Sequence, residues 1–149
     1  MRVQVRDISM AYSRAGEGLP VLLIHGYPLT RSLWDIQLSN LADKADILAP
    51  DLRGHGDTQA TDGPYSMELL ADDLNAFLDV LGINQPVVVC GLSMGGYIAL
   101  AFYRKYAARM AGLVLTATRA AADSAQGKAG RDQAAALARA LGLPGTFSE

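Results

Sequence analysis

Short, wholly apolar runs alternate along this chain with segments whose apolar residues recur at helical spacing. Positions 2 to 14 alternate polar and apolar through Val3, Val5, Ile8, Met10 and Tyr12, which predicts one or two strands of an antiparallel hairpin at a sheet edge. After a turn at Gly16-Glu17-Gly18, Pro20 opens the run Val21-Leu22-Leu23-Ile24, the pattern of a fully buried strand, and the run stops abruptly at His25-Gly26-Tyr27-Pro28. Leu33, Trp34, Gln37, Leu38 and Leu41 fall near helical period, so a helix capped by Thr30 or Ser32 is expected to cover one sheet face. Ile47-Leu48-Ala49-Pro50 reads as another buried strand, ending in the glycine-rich polar loop Asp51-Leu52-Arg53-Gly54-His55-Gly56-Asp57. Ser66 is placed to cap a helix with Leu70, Leu74, Phe77, Leu78 and Leu81 on one face and Glu68, Asp72, Asp73 and Asp79 outside, and Gly82 ends it. Pro86 to Cys90 is all apolar, Tyr97 to Tyr103 begins a helix with little polar surface, and Leu113-Val114-Leu115 is a last strand-like run closing at Thr116-Ala117-Thr118.

Alternating strands and helices imply an α/β fold: a mostly parallel sheet with helices on both faces, here spanning residues 1–118. From Arg119 the composition shifts to alanine, glycine and charge, and residues 119–149 read as a helical tail. Within it Asp132 to Leu141 predicts a helix with a thin apolar stripe of Ala135, Leu137, Ala138 and Leu141, stopped by Gly142. The sequence has no internal repeat.

Half of the 149 residues are hydrophobic and the formal net charge is −2, which argues against a nucleic-acid binder held by counterion release and against a disordered chain. No apolar run approaches the ~20 residues that span a bilayer, and the opening residues lack a signal-peptide core, so a soluble, cytoplasmic protein without membrane attachment is expected. Cys90, the single cysteine, has no internal disulfide partner and is expected to pack as a small hydrophobe.

The chemistry concentrates in Gly91-Leu92-Ser93-Met94-Gly95-Gly96, between a strand-like and a helix-like run. A serine on such a sharp turn needs small neighbours on both sides, because a side chain at Gly91 or Gly95 would collide with adjacent backbone. The Met94 N–H then lies at a helix N-terminus, where unpaired donors favour an anion. The same glycines would also suit a plain structural turn. A phosphate loop would require Gly-Lys-Ser/Thr and a dinucleotide fingerprint Gly-x-Gly-x-x-Gly, and the sequence has neither. No cofactor is implied, and two histidines in separate glycine-rich turns make a poor metal site.

Taken in order and spacing, Leu23-Ile24-His25-Gly26-Tyr27-Pro28, Asp51-Leu52-Arg53-Gly54-His55-Gly56 and Gly91-Leu92-Ser93-Met94-Gly95-Gly96 resemble the α/β-hydrolase family over about residues 1 to 118. The nearest resemblance is to esterase, lactonase and perhydrolase-like members with a lid, whose start residues 119 to 142 resemble. The resemblance implies a serine hydrolase of carboxylic esters or lactones with Ser93 as nucleophile, the backbone N–H groups of Tyr27 and Met94 as the oxyanion hole, and Asp51 to Gly56 at the site rim.

Serine needs a positioned base, and in this fold the order is serine, acid, histidine. The only histidines, His25 and His55, both precede Ser93, and the acid, base and last strands of the family pattern would amount to nearly half a domain. Three readings follow. The chain is a fragment whose partner half is missing; or His25 or His55 is recruited as base with Asp51 or Asp57 as its orienter; or the fold is kept for binding or assembly. A strand at Leu113 to Leu115 with no successor would leave an apolar edge, which predicts a homo-oligomer or a complementing chain that covers it.

Overall fold

The computed structural model describes residues 1–140, with the side chains of Ala138 and Arg139 excepted, so the expectations for Leu141 and Gly142 lie outside the described residues. Among these, six strands form one sheet: β1 (Arg2–Val5), β2 (Ile8–Ala15), β3 (Pro20–Ile24), β4 (Asp46–Pro50), β5 (Val87–Leu92) and β6 (Met110–Thr116), in the order β1-β2-β4-β3-β5-β6. β1 and β2 form the expected antiparallel hairpin, and β2 also pairs antiparallel with β4. β4, β3, β5 and β6 are mutually parallel. The carboxyl ends of β3, β4 and β5 therefore open on the same side of the sheet.

Helices cover both faces, as the alternation implies. α2 (Met67–Val80) and α3 (Met94–Tyr106) pack over Leu22, Ile24, Leu48, Val87 and Val89, while α1 (Asp35–Leu41) packs over Leu23, Ile47 and Ala49. Leu22 and Ile24 point one way and Leu23 the other, so β3 is apolar throughout because both of its sides are buried. Ser66 caps α2 by accepting the Leu69 N–H at 3.1 Å, and Gly82 closes it at φ +69.

Four expectations are corrected. Asp73 is not outside α2: it is fully buried and paired with arginines, because it shares the inward face with Leu70, Leu74 and Phe77. The segment around Leu33 starts as a 3-10 turn, Arg31–Trp34, before α1, and neither Thr30 nor Ser32 caps it through a side chain, since the two hydroxyls bond each other at 2.8 Å. The tail helix α4 spans Ala125–Ala140, seven residues longer at its start than the apolar stripe suggests. Its first turn is held by Ser124, whose hydroxyl accepts the Gly127 N–H. Leu137 of the predicted stripe is 62% exposed. β6 lies at the sheet margin with Leu113, Val114 and Leu115 exposed, an apolar edge as expected.

Candidate active site

Ser93 sits between the end of β5 and the start of α3 at φ 53, ψ −115, one of three non-glycine residues with positive φ among those described. Such backbone costs of order 1–3 kcal/mol and persists only where its surroundings fix it. They do so on three sides. The Ser93 N–H donates to the Thr116 carbonyl at 2.9 Å, and the Ser93 carbonyl accepts from Gly96 N–H and the Thr118 hydroxyl, each at 2.9 Å. A Cβ on Gly91 would lie 2.3 Å from the Gly95 carbonyl oxygen, and one on Gly95 would lie 2.3 Å from the Ile24 oxygen. Strand β3 and helix α3 thus meet backbone to backbone, which only glycine permits.

The loop after β3 is pressed against the same turn. A Cβ on Gly26 would lie 3.2 Å from the Ser93 Cβ, so the next residue, Tyr27, begins beside the serine. Met94 is the first residue of α3, where the N–H has no carbonyl of its own helix to bond. Both expected oxyanion residues therefore flank Ser93.

The histidines are used differently. His25 is fully buried; its Nδ1 lies 2.9 Å from the Gly26 carbonyl oxygen and its Nε2 accepts the Leu52 N–H at 3.0 Å. Burial pushes its pKa down to about 4; the Gly26 bond and Asp51 oppose that shift, and His55 adds to it. The His55 Nδ1 lies 3.0 Å from the Arg53 carbonyl oxygen, while its Nε2 is enclosed without a partner. The two rings lie 5.2 Å apart, and Tyr27 meets His55 edge-on at 6.0 Å. Among the described residues neither histidine bonds the Ser93 hydroxyl or a carboxylate.

Asp51, fully buried, is occupied elsewhere. Its carboxylate accepts the Arg31 N–H at 2.7 Å, the Asp57 N–H at 2.9 Å and the Arg31 guanidinium, which also holds Asp57 at 2.7 Å. That guanidinium keeps the Asp57 carboxyl below its ordinary range. Gly56 crosses so close that a Cβ there would lie 2.3 Å from an Asp51 oxygen. Asp51 thus shapes the loop at the rim.

Sequence reasoning missed Arg53. Its buried guanidinium bonds Asp73 of α2 at 2.7 and 2.8 Å, Asp7 of the β1–β2 turn at 2.7 and 2.9 Å, and Thr61 at 3.2 Å, while Arg6 adds a second cation to Asp73. These bonds raise the Arg53 pKa and lower that of Asp7 to about 2. The available signal was spacing: Asp73 follows Leu70 by three and precedes Phe77 by four, an inward position on a helix.

An open cleft of about 1160 Å³ runs between the start of α2, the outer side of α3 and the tail, with Tyr65, Met94, Tyr97 and Leu100 on its walls. Met94, not Ser93, reaches it. Within the tail Asp123 binds both Arg119 and Arg131, and the Arg131 guanidinium meets α3, 5.8 Å from the Tyr97 ring centre. Among the described residues no group of three or more His, Cys, Asp or Glu is gathered for a metal ion, and no helix is long and apolar enough to cross a membrane. Burial raises the pKa of the Cys90 thiol.

Residues 20–141 match the protein family described as alpha/beta hydrolase fold. Among solved structures, a thermophilic esterase from Thermogutta terrifontis with malate bound is 44% identical, with a TM-score of 0.89 over 93% of this chain and 53% of that one. Soluble epoxide hydrolase of Corynebacterium sp. (strain C12) is 32% identical over 101 residues, 68% of this chain and 35% of that protein. 3-Oxoadipate enol-lactonase 2 of Acinetobacter baylyi is 36% identical over 93 residues, 61% of this chain and 34% of that protein. The chain spans about a third of the length of the curated relatives it matches and about half of the solved structures.

Proposed function

The chain belongs to the α/β-hydrolase family, and from that premise we propose that it carries the nucleophile and oxyanion donors of a serine hydrolase acting on carboxylic esters or lactones. The observation that carries this reading is the backbone of Ser93, held at φ 53 between β5 and α3 with Gly26, Gly91 and Gly95 packed against the turn. Ser93 Oγ bonds the acyl carbon, and the carbonyl oxygen becomes an oxyanion facing the N–H groups of Met94 and Tyr27. The alcohol departs with a proton, and water then cleaves the acyl-enzyme. The similarity to an esterase and an enol-lactonase, both processing an acyl carbon, supports this substrate class.

In this reading neither histidine of the chain serves as the general base. Both ring nitrogens of His25 are engaged with backbone, and the free nitrogen of His55 is enclosed. Asp51, tied to Arg31, is a rim residue and orients no histidine. Without a base, roughly 10³–10⁴ over water still survives from the oxyanion hole and binding. Mixing the chain with p-nitrophenyl butyrate is therefore expected to give a slowly hydrolysed butyryl adduct on the Ser93 peptide, read by mass spectrometry. Ser93→Ala abolishes it, and His55→Ala leaves it unchanged. A butyryl group on another residue, or none, overturns the reading.

A further inference from the structure

We propose that His25 is a positioning residue: a neutral strut, protonated on Nδ1, that ties the loop carrying Tyr27 to the loop after β4 and thereby sets the second oxyanion donor against Ser93. This deepens the serine-hydrolase reading and rests on it.

The partners of the ring fix its state. A carbonyl oxygen only accepts, so the 2.9 Å contact to the Gly26 oxygen requires a hydrogen on Nδ1. A backbone N–H only donates, so the 3.0 Å contact from Leu52 requires a lone pair on Nε2. Neutral imidazole in one tautomer satisfies both; the other tautomer and the imidazolium satisfy one at most. The titratable groups facing the ring are His55, 5.2 Å away, and Asp51, whose carboxylate is bound to Arg31; Tyr27 meets the far ring of the pair. Full burial keeps His25 uncharged at neutral pH.

The strut acts at a sensitive place. Gly26, whose oxygen it grips, lies so near Leu92 and Ser93 that a Cβ there would meet both, and Tyr27 is the next residue. An oxyanion donor works only within 2.7–3.1 Å of the developing charge, about the tolerance a single lost hydrogen bond to this loop would exceed. Leu52 belongs to a loop anchored through Arg53 to α2 and to the β1–β2 turn, so the strut transfers that rigidity to the oxyanion loop.

Two measurements test it together. In the nitrogen-15 spectrum of the folded chain, His25 Nε2 is expected at the position of an unprotonated ring nitrogen and Nδ1 at that of a protonated one, unchanged from about pH 8 to about pH 5.5. The reverse tautomer, or titration at the ordinary histidine pKa, overturns the proposal. In parallel, the rate of butyryl transfer to Ser93 is followed in His25→Ala, His25→Asn, which keeps a donor toward Gly26, and His25→Gln, which keeps an acceptor toward Leu52. His25→Ala is expected to slow transfer by about 10²-fold or more, and the two amides by less. A folded His25→Ala acylated at the parent rate also overturns it. If the parent chain itself takes no butyryl group, that failure falls on the nucleophile reading, and the ring-nitrogen spectrum still decides whether His25 is the strut. If His25→Ala does not fold, the spectrum and the amide variants decide.

Discussion

Two turns at the same edge of the sheet achieve rigidity in opposite ways. The turn at Ser93 is held by backbone: glycines at 26, 91 and 95 let three segments approach within contact, and the serine's own main-chain groups bond three neighbours. The loop after β4 is held by charge. Asp51, Arg53 and Asp57 are locked by Arg31, Asp7 and Asp73, drawn from three other elements. A turn built from glycine contacts tolerates no added atom, whereas one built from ion pairs tolerates changes of shape but not an unpaired charge. The first turn carries Ser93, and the second braces the wall beside it.

The comparison is broken most severely at Gly95. Gly95→Ala drives a methyl to 2.3 Å from the Ile24 oxygen and 2.8 Å from the His25 oxygen, and a loss above about 5 kcal/mol is expected, seen as absence of a urea unfolding transition. A variant that unfolds within about 1 kcal/mol of the parent would show that the turn has slack. The charged loop should fail next. Asp73→Ala leaves Arg53 with Asp7 as its one carboxylate partner and is expected to cost about 3–5 kcal/mol in the same assay, whereas Arg53→Met with Asp73→Leu should recover much of it. A double variant no better than the single one would mean that the pair is worth more than its desolvation cost.

Acid tests the link between the two regions. His25 titrates near 4 when folded and near its ordinary value of 6.5 when unfolded, so between those values the unfolded chain binds more protons. Its share of stability is complete above about pH 6.5 and is lost as pH falls through about 4, a change of about 3 kcal/mol. Asp7, held to about 2 by Arg53, adds its own loss only below its ordinary 3.8. Urea midpoints flat from pH 7 to 4, or a slope present in His25→Gln, would contradict this. The smallest effect sharpens the contrast: Ser93→Gly relieves a positive φ and is expected to raise stability by about 1 kcal/mol while abolishing acylation, whereas Ser93→Ala abolishes acylation without the gain.

Much of this was legible in the residues. Apolar runs and helical spacing located β3 to β6, the hairpin region as one or two strands and the apolar positions of the inner face of α2, and the ordered glycine motifs located the turn at Ser93, because these depend on neighbours a few positions away. Other features were not legible locally. The extent of α4 is set by Ser124 and not by its thin apolar stripe, and the split of the 31–41 segment follows from hydroxyls that bond each other instead of capping.

The sequence alone determined the layered α/β architecture and a serine on a strained turn, since periodicity dictates which side of each element is buried and only glycine fits where backbones touch. Tertiary structure decided the roles of the charged and imidazole groups. Asp73 moved from surface to core because Arg53, twenty positions away, closes on it, and Asp51 bonds Arg31 and not the histidine ring it faces. His25 became a neutral link between two loops, for a side chain's protonation follows from the partners that folding brings to it.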